Sequence, residues 1–216
     1  MDDTLLTFQK FNDPGLAVTI CEQLRAQGIA CEVVKEAPMF DISYAFNDFE
    51  STTHLKMAPA DFNRAHAILE AYYGEQLSHM DPDYYLFSFT DAELREIIRR
   101  PDEWGHLDYA LAKQLLADRG KPISSEQEVN YKKERLKVLA RPEASHPYMT
   151  FFGYFFAISG SFLGFILGSI FAYSKKALPN GDRAFIYSPA ERRHGKRILI
   201  LSFIFLPFWL WVLVTP

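Results

Sequence analysis

Residues 41–54 hold the densest mixture of side chains with chemical reach. Asp41, Asp48 and Glu50 stand close to His54. Carboxylates beside an imidazole are the groups that general acid–base catalysis uses. The stretch is also rich in Ser, Asn and Asp, which is the composition of a solvated loop. No second ligand stands at helical or hairpin spacing from His54, so a metal site is not set up. Elsewhere the chain has no Gly-rich phosphate loop, no Gly-x-Ser-x-Gly, no paired-histidine metal signature and no Cys-x-x-Cys. The sequence predicts a non-catalytic protein with neither cofactor nor metal. Its two cysteines, Cys21 and Cys31, do not suggest a disulfide framework and fit a reducing compartment.

The same stretch carries a second signal. Phe40, Ile42, Tyr44 and Phe46 alternate with Asp41, Ser43 and Ala45, and Phe49 follows. Alternation makes one face of a strand apolar. The plainer reading is an extra edge strand covering the core. The functional reading is an aromatic surface that takes a ligand or a protein partner, because exposed apolar patches mark such sites.

The elements around this stretch follow from spacing. Residues 4–11 read as a strand. Asp13-Pro14 supplies a cap and a first-turn proline, and Leu16, Ala17, Ile20, Cys21 and Leu24 follow at helical spacing up to Gly28. Residues 30–36 and 53–57 are further strands. Pro59 opens a second helix with Phe62, Ala65, Ile68, Leu69 and Tyr72 on its apolar face. This order predicts a small α+β sandwich with helices on one face of a sheet.

The run FQKFNDPGLAVTICEQLRAQGIACEVVKE, with THLKMAPADFNRAHAILEAYY after it, resembles a bacterial domain family of signal-transducing proteins over residues 1–75. The resemblance implies a ferredoxin-like fold akin to the PII-type regulators. It brings no catalytic residues. The connection 37–51 is longer than the family's compact form has.

After a linker at 74–83, Thr90-Asp91-Ala92-Glu93 is a capping box that starts a short helix with Leu94, Ile97 and Ile98 inward. Pro101 stops it. Leu107, Ala110, Leu111, Gln114 and Leu115 mark a second helix, and Trp104 is the packing anchor of the resulting αα-hairpin, residues 84–121. A capping box at Ser125 to Glu128 opens a charged juxtamembrane helix, residues 125–146. Its Lys132, Lys133, Arg135, Lys137 and Arg141 either attract anionic headgroups or form a solvated face.

Residues 147–174 contain no Lys, Arg, Asp, Glu or His, and neither do residues 198–216. A helix needs about 20 apolar residues to cross a bilayer. The expectation is a two-helix transmembrane hairpin, with helices at 148–174 and 198–214 joined by a basic loop at 175–197. Gly160, Gly164, Gly168 and Ala172 recur every four residues, a stripe that lets another helix approach closely. The partner is the second helix of the same chain or, alternatively, a second copy in a homo-oligomer. No ionisable group lies in either helix, which excludes a proton relay or ion pathway.

The net charge of −4 conceals an asymmetry: the basic loop carries +5, leaving −9 on residues 1–146. That acidity makes residues 1–146 a poor candidate for binding nucleic acid or anionic lipid, because the phosphate field repels it, and no nucleic-acid partner is expected. Positive charge favours a cytoplasmic loop. The acidic start Met1-Asp2-Asp3-Thr4, with no apolar stretch after it, and the unpaired cysteines favour a cytoplasmic soluble part. Two full crossings satisfy both only poorly, and a re-entrant second segment, broken at Pro207, is one way to reconcile them. The expected protein is a multi-pass component of the bacterial inner membrane, a regulatory or adaptor protein. The alternatives are a structural membrane protein assembling through its glycine stripe, and an enzyme with a site between the soluble modules.

Overall fold

Strand β1 (Leu6–Phe11) and strand β2 (Cys31–Glu36) both pair antiparallel with β3 (Thr52–Met57), in the order β1-β3-β2. The computed structural model describes residues 5–36, 52–77, 80–81, 83–143 and 147–215. The chain divides into two units, Met1–Val138 with Ala177–Asp182, and Leu139–Lys176 with Arg183–Pro216. The architecture is mixed α+β.

In the first unit, helices α1 (Pro14–Ala26) and α2 (Phe62–Gln76) pack on one face of the sheet. Ala17, Ile20 and Leu24 from α1 meet Leu55, Met57, Phe62, Ala65 and Leu69 in one buried core. Asp13 caps α1 by accepting from the Gly15 N–H at 2.8 Å. Gly28 ends that helix with φ 78°, a conformation that favours glycine.

The cysteines depart from the expectation of free thiols. Cys21 on α1 and Cys31 on β2 are joined in a disulfide with the Cα atoms 5.9 Å apart. Helical spacing puts Cys21 inward, strand alternation puts Cys31 inward, and the Gly28 turn brings them together. The bond closes a loop with a sequence separation of 10 residues, so its reduction is expected to cost about 3 kcal/mol. Denaturant unfolding of the full chain in detergent, with and without reductant, measures this. An unchanged midpoint would show that the bond constrains nothing.

A second core joins α3 (Asp91–Arg99) and α4 (His106–Asp118) through Leu94, Ile97, Ile98, Leu111, Ala112 and Leu116, and α5 (Ser125–Leu139) lies against it. The capping box at Thr90 and Glu93 is formed. The one ahead of α5 is shifted: Ser124 and Gln127 exchange the backbone bonds, not Ser125 and Glu128. Helix α5 is not merely solvated, since Tyr131 packs on this core and Arg135 forks onto Asp102 at 2.8 and 2.7 Å.

The second unit overturns the continuous first transmembrane helix. The apolar run forms two helices, α6 (Pro147–Ile158) and α7 (Phe162–Tyr173), separated at residues 159–161. Gly160 adopts φ 69°, the Ser161 N–H donates back to the Phe156 carbonyl at 3.0 Å, and the Ser161 hydroxyl caps α7. These are the stop and start signals of two helices, placed back to back. A Cβ on Gly164 would lie 2.5 Å from the Ala157 nitrogen, an approach that residues seven apart in one straight helix never make.

Helix α8 (Pro189–Val214) gives the directions. It begins at Pro189, not at Ile198, on a Ser188–Glu191 capping box. Along α6, Gly153 meets Ile198 and the Ile158 carbonyl accepts from the Trp209 indole at 3.0 Å. From the turn onward into α7, Gly160 meets Trp209, Phe165 meets Phe203, Gly168 meets Leu199 and Ala172 meets Gly195. Contacts rise along α8 with α6 and fall with α7, so α6 and α7 run in opposite directions. The chain before α6 accordingly lies beside the chain after α7. The Glu143 N–H donates to the Ile186 carbonyl at 2.9 Å, and Lys176 Nζ donates to the Arg141 carbonyl at 3.0 Å. Two short strands, β4 (Lys175–Ala177) and β5 (Arg183–Phe185), occupy part of the expected basic loop. Among the described residues one helix, Pro189–Val212, is long and apolar enough to cross a membrane.

Candidate functional site

The first unit places two imidazoles face to face. His66 lies on α2, one turn past Phe62, and His106 opens α4. Their Nδ1 and Nε2 atoms are 3.0 Å apart, with the rings stacked at a centroid distance of 5.2 Å. His66 Nε2 lies 3.0 Å from the Pro179 carbonyl oxygen. That carbonyl can only accept, so His66 carries its proton on Nε2 and offers the Nδ1 lone pair to the His106 Nε2–H. One tautomer of each ring satisfies the chain of bonds.

A strand irregularity positions the pair. The β1–β3 register skips Phe8, between Thr7 opposite Lys56 and Gln9 opposite Leu55. A bulge of this kind re-aims a side chain. Phe8 meets the His66 ring at 4.6 Å, Phe62 at 5.3 Å and His106 at 6.1 Å. Tyr73 stacks on His106 at 6.4 Å. Loss of water through burial pushes the His106 imidazole down to about 3, and the neighbouring His66 adds to this. Burial also lowers His66, against the Pro179 carbonyl, which favours the proton.

The segment 177–182 completes the surroundings. Leu178 is buried, and a Cβ on Gly181 would fall 2.2 Å from the Pro59 carbonyl oxygen. Gly181 also has φ 86°, so glycine is required there twice over.

Further along the same two helices lies a charge network. Lys113 on α4 donates to Glu70 on α2 and to Glu128 on α5, the latter at 2.9 Å. Glu128 also accepts from the Tyr109 hydroxyl at 2.7 Å and from Lys132 at 2.6 Å. Burial alone would raise the Glu128 carboxyl, but the donors from Lys132, Lys113 and Tyr109 outweigh it and bring it down to about 2. Tyr109 is raised by burial and by its bond to Glu128. These bonds join α2, α4 and α5 through one lysine and two carboxylates.

The other sequence-derived candidates fall as follows. Phe40, Ile42, Tyr44, Phe46 and Phe49, with Asp41, Asp48 and Glu50, lie outside the described residues. His54 is buried on the outer face of β3, with Nδ1 3.3 Å from the Thr7 hydroxyl. The glycine stripe is divided among three tasks: Gly160 makes the turn, Gly164 packs on α6, and Gly168 and Ala172 pack on α8. The His66–His106 pair was not anticipated. Its one signal in the sequence is that His66 shares the face of Phe62 and Leu69 on an otherwise apolar stripe. No group of three or more metal-ligating side chains gathers among the described residues. Compared with family models, curated proteins and solved structures, the chain matches none.

Proposed function

We propose that the protein is a membrane-anchored regulatory or adaptor protein, non-catalytic, whose second unit sits in lipid and whose first unit binds a partner protein or small ligand. The observation that carries this reading is the exposed surface of α6, α7 and α8. Phe151, Phe155, Phe162, Phe203, Ile204, Leu210 and Trp211 each expose more than half of their surface. A water-soluble protein rarely displays so broad an apolar surface, whereas lipid is as apolar as these side chains.

The antiparallel α6 and α7 favour a re-entrant hairpin over a full crossing. Each has 12 residues, about 18 Å of helix against about 30 Å of hydrocarbon. The chain then leaves the membrane on the side where it arrived, and only α8 crosses. This removes the conflict between the basic loop and the acidic soluble part, because both lie on one side, the cytoplasmic one. The re-entrant segment is the first apolar run and not the second. Within the first unit, the order β-α-β-β-α, with β3 central and both helices on one face, supports the ferredoxin-like reading, with no fourth strand on this sheet among the described residues. In a reducing cytoplasm the Cys21–Cys31 bond is shielded by burial, since Cys21 and Cys31 expose 2% and 7% of their surface.

Single cysteines introduced at Glu134, Asn180 and Thr215 test the topology with a membrane-impermeant maleimide on intact cells stripped of their outer layers. Thr215→Cys is expected to label at once, and Glu134→Cys and Asn180→Cys only after the membrane is opened. Immediate labelling at Asn180→Cys would refute the arrangement.

A further inference from the structure

The loop-proximal end of the second unit gathers two cations, Lys175 and Arg192, that no carboxylate among the described residues neutralises. Lys175 Nζ lies 4.9 Å from the centroid of the Phe185 ring, and the Arg192 guanidinium carbon lies 3.3 Å from the same centroid. Sharing one ring keeps the two cations within about 8 Å of each other, inside one Debye length at physiological salt. Like charges this close raise each other's energy unless an anion joins them. The acids of this unit are already engaged. Glu191 caps α8 by accepting from the Ser188 N–H and hydroxyl, and Glu143 faces Lys176 at 4.0 Å. Arg193, Lys196 and Arg197 follow on the next turns of α8, also without a carboxylate partner among the described residues.

A second observation is independent of charge. The Arg192 Nε–H is buried and has no acceptor. A buried donor without a partner is unfavourable, and an arginine fork is shaped to meet two oxygens of one phosphate. Immediately beyond Arg197 the exposed apolar surface of α8 begins. A ligand here meets cations at one end and lipid-like surface at the other, which describes an anionic phospholipid and not a soluble phosphate.

We propose that Lys175 and Arg192, braced on Phe185, form a binding site for the phosphate of an anionic phospholipid headgroup, with Arg193, Lys196 and Arg197 as a supporting field. The site rests on the membrane reading above. It adds selectivity for headgroup charge, which anchoring by apolar surface does not supply.

Native mass spectrometry of the full chain in detergent, titrated with dioleoyl phosphatidylglycerol or dioleoyl phosphatidylcholine, tests the proposal. Phosphatidylglycerol is expected to bind at least tenfold more tightly, and Lys175→Gln with Arg192→Gln to abolish the preference. Arg192→Lys keeps the charge without the fork and is expected to retain part of it. Lys133→Gln with Lys137→Gln, a charge-matched control on α5, is expected to change nothing. Equal binding of the two lipids, an unaltered preference in the double variant, or displacement of phosphatidylglycerol by millimolar inorganic phosphate would overturn the site while leaving the membrane anchor standing. Monodisperse protein in detergent-free buffer that retains neither lipid would overturn the anchor itself.

Discussion

Gly164→Ala is expected to destabilise the second unit, although alanine is the better helix former. Gly164 lies inside α7, where intrinsic propensity alone would make the substitution favourable by about 1 kcal/mol. The new Cβ, however, would lie 2.5 Å from the Ala157 nitrogen and 2.6 Å from its Cα. Both are backbone atoms, so no rotamer change relieves the clash and the helices must part. Overpacking of this kind costs about 1–3 kcal/mol and outweighs the propensity gain. Gly74→Ala is the internal control. Gly74 lies inside α2 with nothing within 4 Å of a built Cβ, so the same substitution is expected to stabilise by about 0.5–1 kcal/mol. Unfolding midpoints of both variants in mixed micelles, with increasing fractions of sodium dodecyl sulfate, read the two signs. In an unbroken helix across residues 147–174, Ala157 and Gly164 could not approach this closely. Stabilisation by Gly164→Ala would therefore restore that straight helix and remove the re-entrant hairpin.

Acid is expected to loosen the α2–α4 contact through the His66–His106 pair. Both imidazoles have folded-state values below the ordinary 6.5, His106 at about 3. The unfolded chain therefore takes up protons first as the pH falls. The stability associated with the neutral pair is complete above pH 6.5. It declines below that, and for His106 the decline continues to about pH 3. For His106 the slope approaches about 1.4 kcal/mol per pH unit, or roughly tenfold in the opening equilibrium, and His66 adds loss of the same sign. Hydrogen exchange of α2 and α4 amides in the full chain, corrected for intrinsic rates, is expected to accelerate between pH 7.5 and 5.5. His106→Phe keeps the stacked ring without the titrating nitrogens and is expected to flatten that dependence. An equally steep dependence in His106→Phe would assign the effect to other groups. Glu128, held at about 2, contributes loss of the same sign only below its ordinary 4.5.

Much of the local structure is legible in single residues. Asp13, Thr90 and Gly28 mark ends that the folded chain uses, because a cap depends on residues two to four positions away. The Ser124 cap shows the limit of that reading. Ser124 and Ser125 are neighbours with Gln127 and Glu128 three residues on, and two overlapping boxes satisfy the same rule. The spacing of Gly160, Gly164, Gly168 and Ala172 is also visible, but its use is not. A period of four describes one helix face only if the helix continues, and Gly160 ends it. Ser159-Gly160-Ser161 carried the signal of a break inside an apolar run whose length suggested a crossing.

From its sequence alone this protein has an expected solvent for each part of the chain. An acidic, patterned portion is expected in water and two uncharged runs are expected in lipid, with a basic stretch between them, since transfer energies depend on side-chain composition and little on partners. Tertiary structure alone decided that the first apolar run turns back, that Cys21 meets Cys31, and that His66 stacks on His106 from 40 residues away. Each of these depends on which surfaces meet after the elements form. Such meetings are set by shape at a few backbone atoms, and no periodicity along a single element records them.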